Sequence, residues 1–569
     1  MKRLLTSLLV VVLVLMAAQV AVAQEGEEFT VKELIPCDEY DLSDLRIGLV
    51  TDVGEIDDKS FNQSSWEGVL AAEACGATVD YVETQKAADY ADNIATFAEN
   101  DYDIIVIGSG PAGQRAAIQA AKADRQVALI EKKSVLGGVS VNTGTIPSKT
   151  LREAVLDLSG YGEREFYGMS HTLRRRIEMS DLLQRVDAVV RHEIDVTRAQ
   201  LLRNRVEVFS AAASFVDPHT LRLDYVDGTG QRNLTAAYII IASGTEATRD
   251  DHIPFDGRRV MTSDDILTMD ILPRTLVVVG AGVIGCEYAS MFAALGVRVT
   301  LVDRRPRLLP FVDGEISDTL AYLLRENRVM FRLNESVKAI EVLDDDGSDH
   351  VRITLDSGKQ IVAEKALYSI GRTGNTSKLN LACAGIETDD RGRIAVNENY
   401  QTKVPHIYAV GDVIGFPSLA STSMEQGRLA ACHALNIKTS SVPELFPYGI
   451  YTIPEISMVG RNEEELTHDG VPYETGKARY REIARGQILG DSTGLLKLLF
   501  HIETRKLLGV HIIGEGASEL VHIGQAVLAF GGTVDYFVNT VFNYPTLAEC
   551  YKTAAFDGIN RIGQLRPGR

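Results

Sequence analysis

Cysteine is scarce in this chain of 569 residues, and its six cysteines stand far apart, at positions 37, 75, 286, 383, 432 and 550. No two of them have the C-x-x-C spacing that is typical of zinc sites and redox pairs. The sequence therefore predicts no metal site and no redox pair, and we expect the thiols to be buried and reduced.

Basic residues are also in deficit, because 58 lysines and arginines stand against 78 aspartates and glutamates, for a formal net charge of −20. A nucleic acid backbone is bound by a basic surface, so this balance argues against a nucleic acid partner. Hydrophobic residues make up 45% and charged residues 24% of the chain, as in ordinary soluble proteins. A chain of this length is expected to divide into about three or four domains.

One long apolar run stands at the N-terminus. Lys2 and Arg3 precede it, it extends from residue 4 to about residue 20, and residues 21–23 (AVA) fit a small-x-small cleavage site. This pattern predicts a secretory signal peptide over residues 1–23. An uncleaved membrane anchor is the alternative, because the run approaches the length that spans a bilayer.

The segment that follows combines an acidic linker with a short α/β pattern. Residues 24–44 lack apolar periodicity, and strand and helix patterns begin at residue 46. Residues 48–54 (GLVTDVG) and 57–62 (DDKSFN) resemble the opening of the basic membrane protein family, which are periplasmic nucleoside-binding components of transport systems. The resemblance covers about 60 residues, too few for the two lobes that enclose a ligand. We expect residues 24–100 to be a linker and a partial fragment of that fold.

A nucleotide-binding fingerprint begins at residue 104 with the sequence IIVIGSGPAG. Gly108 permits the tight turn from strand to helix, Gly110 lets the backbone approach a pyrophosphate, and Gly113 lets helix and strand pack closely. Glu131 ends the next predicted strand, where a carboxylate can accept hydrogen bonds from ribose hydroxyls. The pattern predicts dinucleotide binding.

The fingerprint is repeated in residues 276–285 (LVVVGAGVIG), with Gly280, Gly282 and Gly285 in the same roles and Asp303 as the acid. In both copies the acid follows the first glycine by 23 positions. Strands and helices alternate around both fingerprints, which is typical of doubly wound parallel sheets. Two fingerprints imply two dinucleotides, most simply a resident flavin and an exchanging nicotinamide nucleotide.

The residues at the end of the second fingerprint bear on which nicotinamide nucleotide binds. A carboxylate at Asp303 favours the free 2′-hydroxyl of NAD. Arg304, Arg305 and Arg307 follow at once, and guanidinium groups are suited to the 2′-phosphate of NADP. We interpret the combination as a site that admits both nucleotides. The alternative is a site for NAD alone with arginines on the surface.

Three further motifs follow in the order that a flavin-binding chain requires. They are residues 239–245 (IIIASGT), 371–376 (GRTGNT) and 407–412 (IYAVGD). They are similar to the strand that closes the first half of an FAD domain, the exit from a nicotinamide domain and the second FAD fingerprint. The candidate cofactor-binding residues in these motifs are Gly244, Gly371, Arg372, Gly411 and Asp412.

Residues 137–149 (GGVSVNTGTIPSK) resemble the turn of the flavoprotein disulfide reductases in which two cysteines, five positions apart, form a redox disulfide beside FAD. Here those positions hold Ser140 and Thr145, and neither hydroxyl can form a disulfide. The resembled enzymes also carry a histidine that serves the thiols from across a dimer interface. Tyr544 stands in its place, and a phenol with a pKa near 10 is a poor proton carrier at neutral pH.

The chain is most similar to one branch of that superfamily. The segments 145–149 (TIPSK), 280–290 (GAGVIGCEYAS), 371–376 and 542–546 (FNYPT) closely resemble the soluble, Si-specific pyridine nucleotide transhydrogenases, over about residues 101–565. The resemblance implies an enzyme that holds FAD and passes hydride from NADPH to NAD through flavin N5, without a redox disulfide.

The resemblance also implies roles for individual residues. Lys149 and Glu287 match a pair beside flavin N5, where the lysine would stabilise charge on the reduced flavin and orient the nicotinamide. An ordinary interdomain salt bridge is the alternative. Further candidate cofactor-binding residues are Lys132, Gly137, Gly138, Ser140 and Thr145.

The expected architecture is two doubly wound, Rossmann-like α/β domains and an α+β dimerisation domain. The predicted segments are an FAD domain at 101–250 and 377–440, an NAD(P) domain at 251–376 and a dimerisation domain at 441–569. We expect a homodimer or higher homo-oligomer, nicotinamide nucleotides as substrates and no stable membrane partner. Because NADPH and FAD are cytosolic, the catalytic module is expected in the cytoplasm, with export or membrane anchoring as the alternative.

Two other functions remain open at this point. The frame also fits a thiol-independent NAD(P)H diaphorase or a reductase resembling dihydrolipoamide dehydrogenase. A periplasmic nucleoside-binding protein, a different class, is suggested by the predicted signal peptide and residues 46–100.

Overall fold

The computed structural model describes residues 46–53, 61–84, 101–163, 177–343, 349–439 and 445–565, with the single positions 42, 86 and 166. These residues form two compact units. One unit contains the described residues up to Tyr102 and Asn233–Ala236, and the other contains the rest. The predicted signal peptide and nearly all of the predicted linker lie outside the described residues. Within the described part of the chain, no helix is long and apolar enough to cross a membrane.

The N-terminal unit contains one β-α-β arrangement. Its elements are β1 (Arg46–Val53), α1 (Phe61–Ala74) and β2 (Thr78–Thr84), and the two strands pair in parallel. Cys75, which directly follows the helix, is disulfide-bonded, so the prediction of reduced thiols is wrong at this position. The free thiols of the described chain are the buried Cys286, Cys432 and Cys550 and the exposed Cys383.

The next elements build the first doubly wound sheet. They are β3 (Asp101–Ile107), α2 (Pro111–Lys122), β4 (Val127–Glu131), α3 (Gly138–Asn142), α4 (Thr145–Ser159), α5 (Met179–Arg203), β5 (Glu207–Phe215), β6 (Thr220–Tyr225) and β7 (Gln231–Ile241). Strands β3, β4 and β5 pair in parallel. A parallel strand is covered on both faces, which requires a continuous apolar run. Accordingly, every residue of β4 is buried.

The second doubly wound domain follows. Its elements and connectors are β8 (Thr245–Ala247), β9 (Val260–Thr262), β10 (Thr275–Val279), α6 (Val283–Ala294), β11 (Arg298–Asp303), α7 (Gly314–Glu326), β12 (Met330–Leu333), β13 (Val337–Leu343), β14 (His350–Leu355), β15 (Gln360–Ala363), β16 (Lys365–Tyr368) and β17 (Arg372–Gly374). Its main sheet is parallel throughout, in the order β12-β11-β10-β16-β9. A smaller antiparallel sheet has the order β13-β14-β15.

The chain then returns to the first sheet through β18 (Ile407–Ala409) and α8 (Ala420–Ala434). The completed first sheet has the order β18-β7-β3-β4-β5-β6. The two crossings between the sheets, β8 and β17, pair with each other in antiparallel fashion. In both sheets the fingerprint strand, β3 or β10, lies between neighbours on either side, which is the switch point where open α/β sheets bind ligands.

The last domain combines an antiparallel sheet with helices. Its elements are β19 (Tyr448–Ile450), β20 (Ile456–Gly460), α9 (Glu463–His468), β21 (Tyr473–Arg479), α10 (Ala484–Leu489), β22 (Leu495–His501), β23 (Leu507–Ile513), α11 (Ala517–Ala529), α12 (Asp535–Asn539) and α13 (Glu549–Leu565). The sheet order is β19-β20-β23-β22-β21. Short 3-10 helices of the described chain include Tyr161–Glu163, Ser263–Thr268, Leu381–Ala384, Gly411–Ile414 and Tyr480–Glu482. The predicted fold class, two Rossmann-like domains and an α+β domain, is confirmed.

Candidate functional site

The first fingerprint has a geometry that only glycine accommodates. Gly108 has φ +106°, and a Cβ there would lie 2.3 Å from the carbonyl oxygen of Ala242. A Cβ at Gly113 would lie 1.8 Å from the carbonyl oxygen of Gly108. By contrast, a Cβ at Gly110 would meet nothing within 4 Å. This open space lies at the N-cap of α2, which has no side-chain cap, so its backbone N–H groups are available to a phosphate.

A second loop lies against the first fingerprint. A Cβ at Gly138 would lie 2.8 Å from the Cα of Gly110, so position 138 needs glycine for this close approach. The backbone N–H of Gly137 donates to Ser109 Oγ at 3.0 Å, and that hydroxyl donates to Glu131 Oε2 at 2.6 Å. The glycines of the two loops thus lie together around a space of the kind that a pyrophosphate requires, and the residues present fit FAD.

The hydrogen bonds that the Glu131 carboxylate accepts within the described chain come from uncharged donors. The backbone N–H of Ser109 donates to Oε2 at 3.0 Å, in addition to the hydroxyl. The backbone N–H of Lys133 donates to Oε1 at 3.0 Å. The carboxylate is buried and oriented, as a ribose-binding acid must be, while the neighbouring Lys132 is exposed to solvent.

The second fingerprint repeats this geometry. Gly280 has φ +105°, and a Cβ there would lie 2.6 Å from the carbonyl oxygen of Ser369. A Cβ at Gly285 would lie 1.8 Å from the carbonyl oxygen of Gly280, whereas a Cβ at Gly282 would meet nothing within 4 Å. The N-cap of α6 again has no side-chain cap. The residues present therefore fit a second dinucleotide.

Asp303 differs from Glu131 in its partners. The Arg305 guanidinium donates to both carboxylate oxygens, at 2.9 and 2.7 Å, and the backbone N–H of Ala281 donates at 2.5 Å. Burial raises the pKa of Asp303, but the bonds from Arg305 and Ala281 outweigh it, so the pKa lies below the ordinary 3.8. The carboxylate is therefore ionised and already paired with a cation.

The other two arginines of this segment, Arg304 and Arg307, differ from Arg305 in their surroundings. Arg307 donates to Glu464 at 3.1 Å and to the carbonyl oxygen of Val312 at 2.8 Å, so it ties this segment to the last domain. Arg304 is exposed. Of the three guanidinium groups, that of Arg304 is the one most accessible to a ligand from solvent.

The predicted residues of the crossings lie around Thr245. Arg372 donates to the hydroxyl and to the carbonyl oxygen of Thr245, both at 2.9 Å, and to Asp264 at 3.4 Å. The Thr245 hydroxyl donates to Asp412 at 3.4 Å. Burial raises the pKa of Asp412 above 3.8, and Arg372 and Thr245 oppose that shift only in part. Arg372 therefore connects the two sheets at their crossing and lies close enough to Asp412 to act on its charge.

The glycines predicted at the crossings adopt left-handed backbone conformations. Gly244 has φ +66° and Gly411 has φ +78°, while Gly371 has φ +153°. A Cβ at Gly411 would lie 3.1 Å from the Cβ of Ala112 in the first fingerprint helix. Gly411 is thus packed directly against that helix.

The predicted pair Lys149 and Glu287 is formed. The Lys149 ammonium donates to both carboxylate oxygens of Glu287, at 3.0 and 2.8 Å, across 138 positions of the chain. The Glu287 side chain is only 4% exposed and that of Lys149 is 25% exposed. A buried carboxylate thus holds an ammonium group that still reaches solvent or a ligand. Helix α4 of the first domain supplies the lysine, and helix α6 of the second supplies the glutamate.

The positions of the missing cysteines lie directly before Lys149. Ser140 is half-buried within α3, and Thr145 is the exposed first residue of α4. Hydroxyls at both positions leave no thiol in this turn. Tyr544 is 73% exposed, so its ring belongs to the surface of the chain.

A segment of the last domain reaches the Lys149–Glu287 pair, and this was not predicted. The backbone N–H of Tyr451 donates to Glu287 Oε1 at 2.8 Å, and Lys149 Nζ lies 4.9 Å from the centroid of its ring. Ser290 Oγ accepts from the backbone N–H of Ile453 at 3.0 Å. These contacts join positions more than 160 apart, and no local pattern marks them in the sequence.

One group of carboxylates among the described residues could hold a metal ion, namely Asp313, Glu315 and Glu463. The ammonium group of Lys497 contacts all three of them, with 2.8 Å to Asp313 and 3.2 Å to Glu315. Lys497 and Asp313 are fully buried, so the lysine supplies the positive charge that these acids require.

Comparison with known proteins decides the family. Residues 102–427 match the family described as pyridine nucleotide-disulphide oxidoreductase, and residues 446–555 match its dimerisation domain. The chain belongs to this family. Its members bind FAD and NAD(P), which confirms the predicted cofactors, and the dimerisation domain supports the predicted homodimer.

Curated relatives identify the branch. A soluble pyridine nucleotide transhydrogenase from Mycobacterium bovis is 55% identical over 469 residues, which is 82% of this chain and 99% of the relative. The enzyme of the same name from Pectobacterium atrosepticum is 47% identical over 466 residues, 81% of this chain and 98% of the relative. The predicted resemblance to the soluble transhydrogenases is confirmed.

Solved structures share the fold at lower identity. LpdA from Mycobacterium tuberculosis is 28% identical with a TM-score of 0.73, and covers 80% of this chain and 99% of its own. A HOCl-induced flavoprotein disulfide reductase from Escherichia coli is 26% identical with a TM-score of 0.72 and the same coverage. This branch and the disulfide reductases are therefore built on one frame.

The N-terminal segment matches a second family. Residues 46–130 match the family described as ABC transporter substrate-binding protein PnrA-like, which confirms the predicted resemblance to basic membrane proteins. That match runs through β3 and ends within β4, whereas the first compact unit ends at Tyr102 apart from Asn233–Ala236. Residues 102–130 are therefore matched by both family descriptions.

Proposed function

We propose that this chain is a flavin-dependent transhydrogenase, which converts NADPH and NAD to NADP and NADH. The observation that carries the proposal is the Lys149–Glu287 pair, held where two complete dinucleotide folds meet, behind a turn with Ser140 and Thr145 in place of cysteines. FAD, when bound, supplies a hydride acceptor and donor between the two nicotinamides. No external disulfide is needed, because the hydride that NADPH gives up, with its two electrons, is the hydride that NAD accepts.

The proposed cofactor contacts are divided between the two folds. The flavin contacts are Gly108, Gly110, Gly113, Glu131, Lys132, Gly137, Gly138, Ser140, Thr145, Gly244, Gly411 and Asp412. The nicotinamide nucleotide contacts are Gly280, Gly282, Gly285, Asp303, Arg304, Gly371 and Arg372. In this assignment the fold with the second glycine loop holds the resident group, and the fold without it admits the exchanging one.

Lys149 and Glu287 are the proposed catalytic residues. The ammonium group places a fixed positive charge at the junction of the folds, and the buried carboxylate keeps its position. The reaction exchanges one nicotinamide for another, so its driving force is small. Correct placement of the reacting groups therefore supplies most of the rate.

Both nucleotides are proposed to use the second fold in turn. The Arg305 guanidinium already neutralises Asp303, which lowers the repulsion that this carboxylate would exert on a 2′-phosphate. The exposed Arg304 is available to bind that phosphate. NAD is accepted because its 2′-hydroxyl can donate to the Asp303 carboxylate.

Steady-state kinetics with NADPH and a spectroscopically distinct NAD analogue test the proposal. We expect turnover with parallel double-reciprocal lines, because the second nucleotide enters after the first leaves. Lipoamide and oxidised glutathione serve as controls and should give no turnover. Turnover of a disulfide at a comparable rate, or intersecting lines with the nucleotides, would contradict it.

The assembly and the compartment are also proposed. Phe530, Val541 and Tyr544 of the dimerisation domain are 91%, 90% and 73% exposed, and a homodimer interface buries exposed apolar side chains of this kind. We place the catalytic module in the cytoplasm, where NADPH and FAD are made. Fractionation with N-terminal sequencing tests this, and a flavin-bound form that begins at Gln24 outside the cytoplasm would contradict it.

A further inference from the structure

Tyr451 makes two separate contacts with the Lys149–Glu287 pair. Its backbone N–H donates to Glu287 Oε1 at 2.8 Å, and its ring lies against the lysine, with Nζ 4.9 Å from the centroid. The geometry is that of a cation–π contact. One residue of the last domain therefore touches both members of a pair that the first two domains supply.

The ring is confined on another side by Gly449. A Cβ at Gly449 would lie 3.3 Å from the Tyr451 ring, so the absence of a side chain there leaves room for the aromatic group. Burial raises the pKa of the Tyr451 phenol above its ordinary value of 10, and a hydrogen bond with Ser518 opposes this only in part. The phenol is therefore neutral at physiological pH, and the group that Lys149 meets is an uncharged aromatic face.

The chain around Tyr451 is fixed by contacts that do not involve its side chain. The Arg152 Nε–H donates to the carbonyl oxygen of Thr452 at 3.0 Å, and Ser290 Oγ accepts from the backbone N–H of Ile453 at 3.0 Å. Arg152 and Ser290 are both buried. The segment stays anchored to both nucleotide folds when the side chain at 451 is changed, so the contribution of the ring can be measured by itself.

We propose that Tyr451 is a positioning residue of the transhydrogenation site, whose ring holds the Lys149 ammonium in the orientation that hydride transfer requires. Glu287 accepts two hydrogen bonds from the Lys149 nitrogen, and the Ser148 hydroxyl accepts a longer one at 3.3 Å. The aromatic face of Tyr451 supplies a further, weaker restraint and adds no competing charge. Lys149 thereby keeps one orientation although a quarter of its side chain is exposed.

The proposal rests on the proposed function, and two variants test it in the full-length flavoprotein. Tyr451→Phe keeps the ring and removes the hydroxyl, whereas Tyr451→Leu removes the ring and keeps the backbone N–H. Tyr473→Leu is the matched control, because Tyr473 is a partly buried tyrosine of the same domain whose hydroxyl contacts Thr467 and Glu463 instead. Each protein is measured for flavin reduction by NADPH in a stopped-flow instrument and for the flavin midpoint potential.

We expect Y451L to slow flavin reduction about tenfold, with less than about a twofold change in the NADPH concentration that gives the half-maximal reduction rate. Y451F and Y473L should stay within about twofold of the natural chain in both quantities. A cation that is held less well stabilises the reduced flavin less. The midpoint potential of Y451L should therefore fall, and a tenfold change in the equilibrium constant corresponds to about 30 mV for two electrons. In a Lys149→Met background, Y451L should produce no further fall, because the two residues act as a unit.

Three results would overturn the proposal. The first is that Y451L matches the natural chain in reduction rate and midpoint potential. The second is that Y451F slows flavin reduction as much as Y451L does, and the third is that Y451L lowers the midpoint potential as much in the Lys149→Met background as in the natural chain. If Y451L is recovered without flavin, Tyr451→Met, which fills more of the space, replaces it under the same criteria. If the natural chain is not reduced by NADPH at all, the proposed function fails, while the potentials and their dependence on Lys149 still decide the role of Tyr451.

Discussion

The two dinucleotide folds of this chain have nearly identical turns and differently paired acids. The first glycine has φ +106° in one and +105° in the other, and a Cβ on the third glycine would lie 1.8 Å from the first glycine's oxygen in both. Both acids accept from two backbone N–H groups, but Glu131 also accepts from the Ser109 hydroxyl, whereas Asp303 also accepts from the Arg305 guanidinium. The glycine turn therefore has the same backbone geometry in both folds, while the side-chain partner of the acid differs.

The difference continues around each site. The first fold has a second glycine loop, in which Gly138 approaches Gly110, and Gly137 donates to Ser109. The second fold has instead an exposed arginine, Arg304, beside its acid. A site with two glycine loops suits a group that stays bound, while a site with an exposed charge suits a ligand that exchanges. In the proposed assignment, the first copy of the motif holds the flavin and the second holds the exchanging nucleotide.

The largest expected effect comes from breaking the feature that the folds share. Gly113→Ala and Gly285→Ala each place a methyl group 1.8 Å from a backbone oxygen, so helix and strand must separate. We expect G113A to be recovered without flavin absorbance. G285A should keep its flavin but bind NADPH at least 100-fold more weakly by calorimetry.

Gly563→Ala is the control, since a Cβ there would meet nothing within 4 Å, and it should change neither property. Loss of flavin from G285A, with flavin retained in G113A, would reverse the assignment of the two folds.

A slightly smaller effect is expected where the folds meet. Lys149→Met keeps the length of the side chain and removes its charge, so both nucleotides still bind while the charge at the junction is lost. Removing one preorganised electrostatic group costs about 10²–10³-fold in rate. We expect a loss of this size in kcat, measured with saturating NADPH and NAD and corrected for flavin content. A loss below threefold would mean that the Lys149–Glu287 pair is an ordinary interdomain salt bridge.

Substitution of the two acids should affect the preference for NADPH over NADH differently. Asp303→Asn frees the Arg305 guanidinium and removes a negative charge, so kcat/KM should shift toward NADPH over NADH by about tenfold. Glu131→Gln should weaken flavin binding and leave that preference within about twofold, because this acid belongs to the other site. Equal shifts in both variants would show that the two acids do not serve different cofactors.

The smallest effect concerns stability against acid. The folded-state pKa of Asp303 lies below 3.8, so the pairing with Arg305 contributes its full stability above that ordinary value. The contribution is lost as the pH falls through the lowered pKa. Thermal unfolding should show the natural chain more stable than D303N near pH 7, with the difference shrinking below about pH 4. A difference that is constant across that range would exclude ionisation of Asp303 as its cause.

The turns of this molecule were predictable, and the contacts between distant segments were not. Spacing alone located both fingerprints, because a tight turn and close helix packing impose glycine at fixed intervals. The resemblance to known enzymes supplied the Lys149–Glu287 pair. The sequence did not indicate Tyr451, whose bond to Glu287 spans 164 positions, nor the contact of Arg307 with Glu464, which spans 157. Such contacts depend on how the domains pack, which local patterns do not encode.

Sequential anaerobic mixing tests the central claim most directly. The purified flavoprotein is mixed first with one equivalent of NADPH and then with excess NAD, while the flavin absorbance is followed. The account predicts that NADPH bleaches the flavin in the absence of any disulfide, and that NAD restores the oxidised spectrum with formation of NADH. A flavin that NADPH does not bleach, or that stays reduced until a disulfide is added, would contradict it.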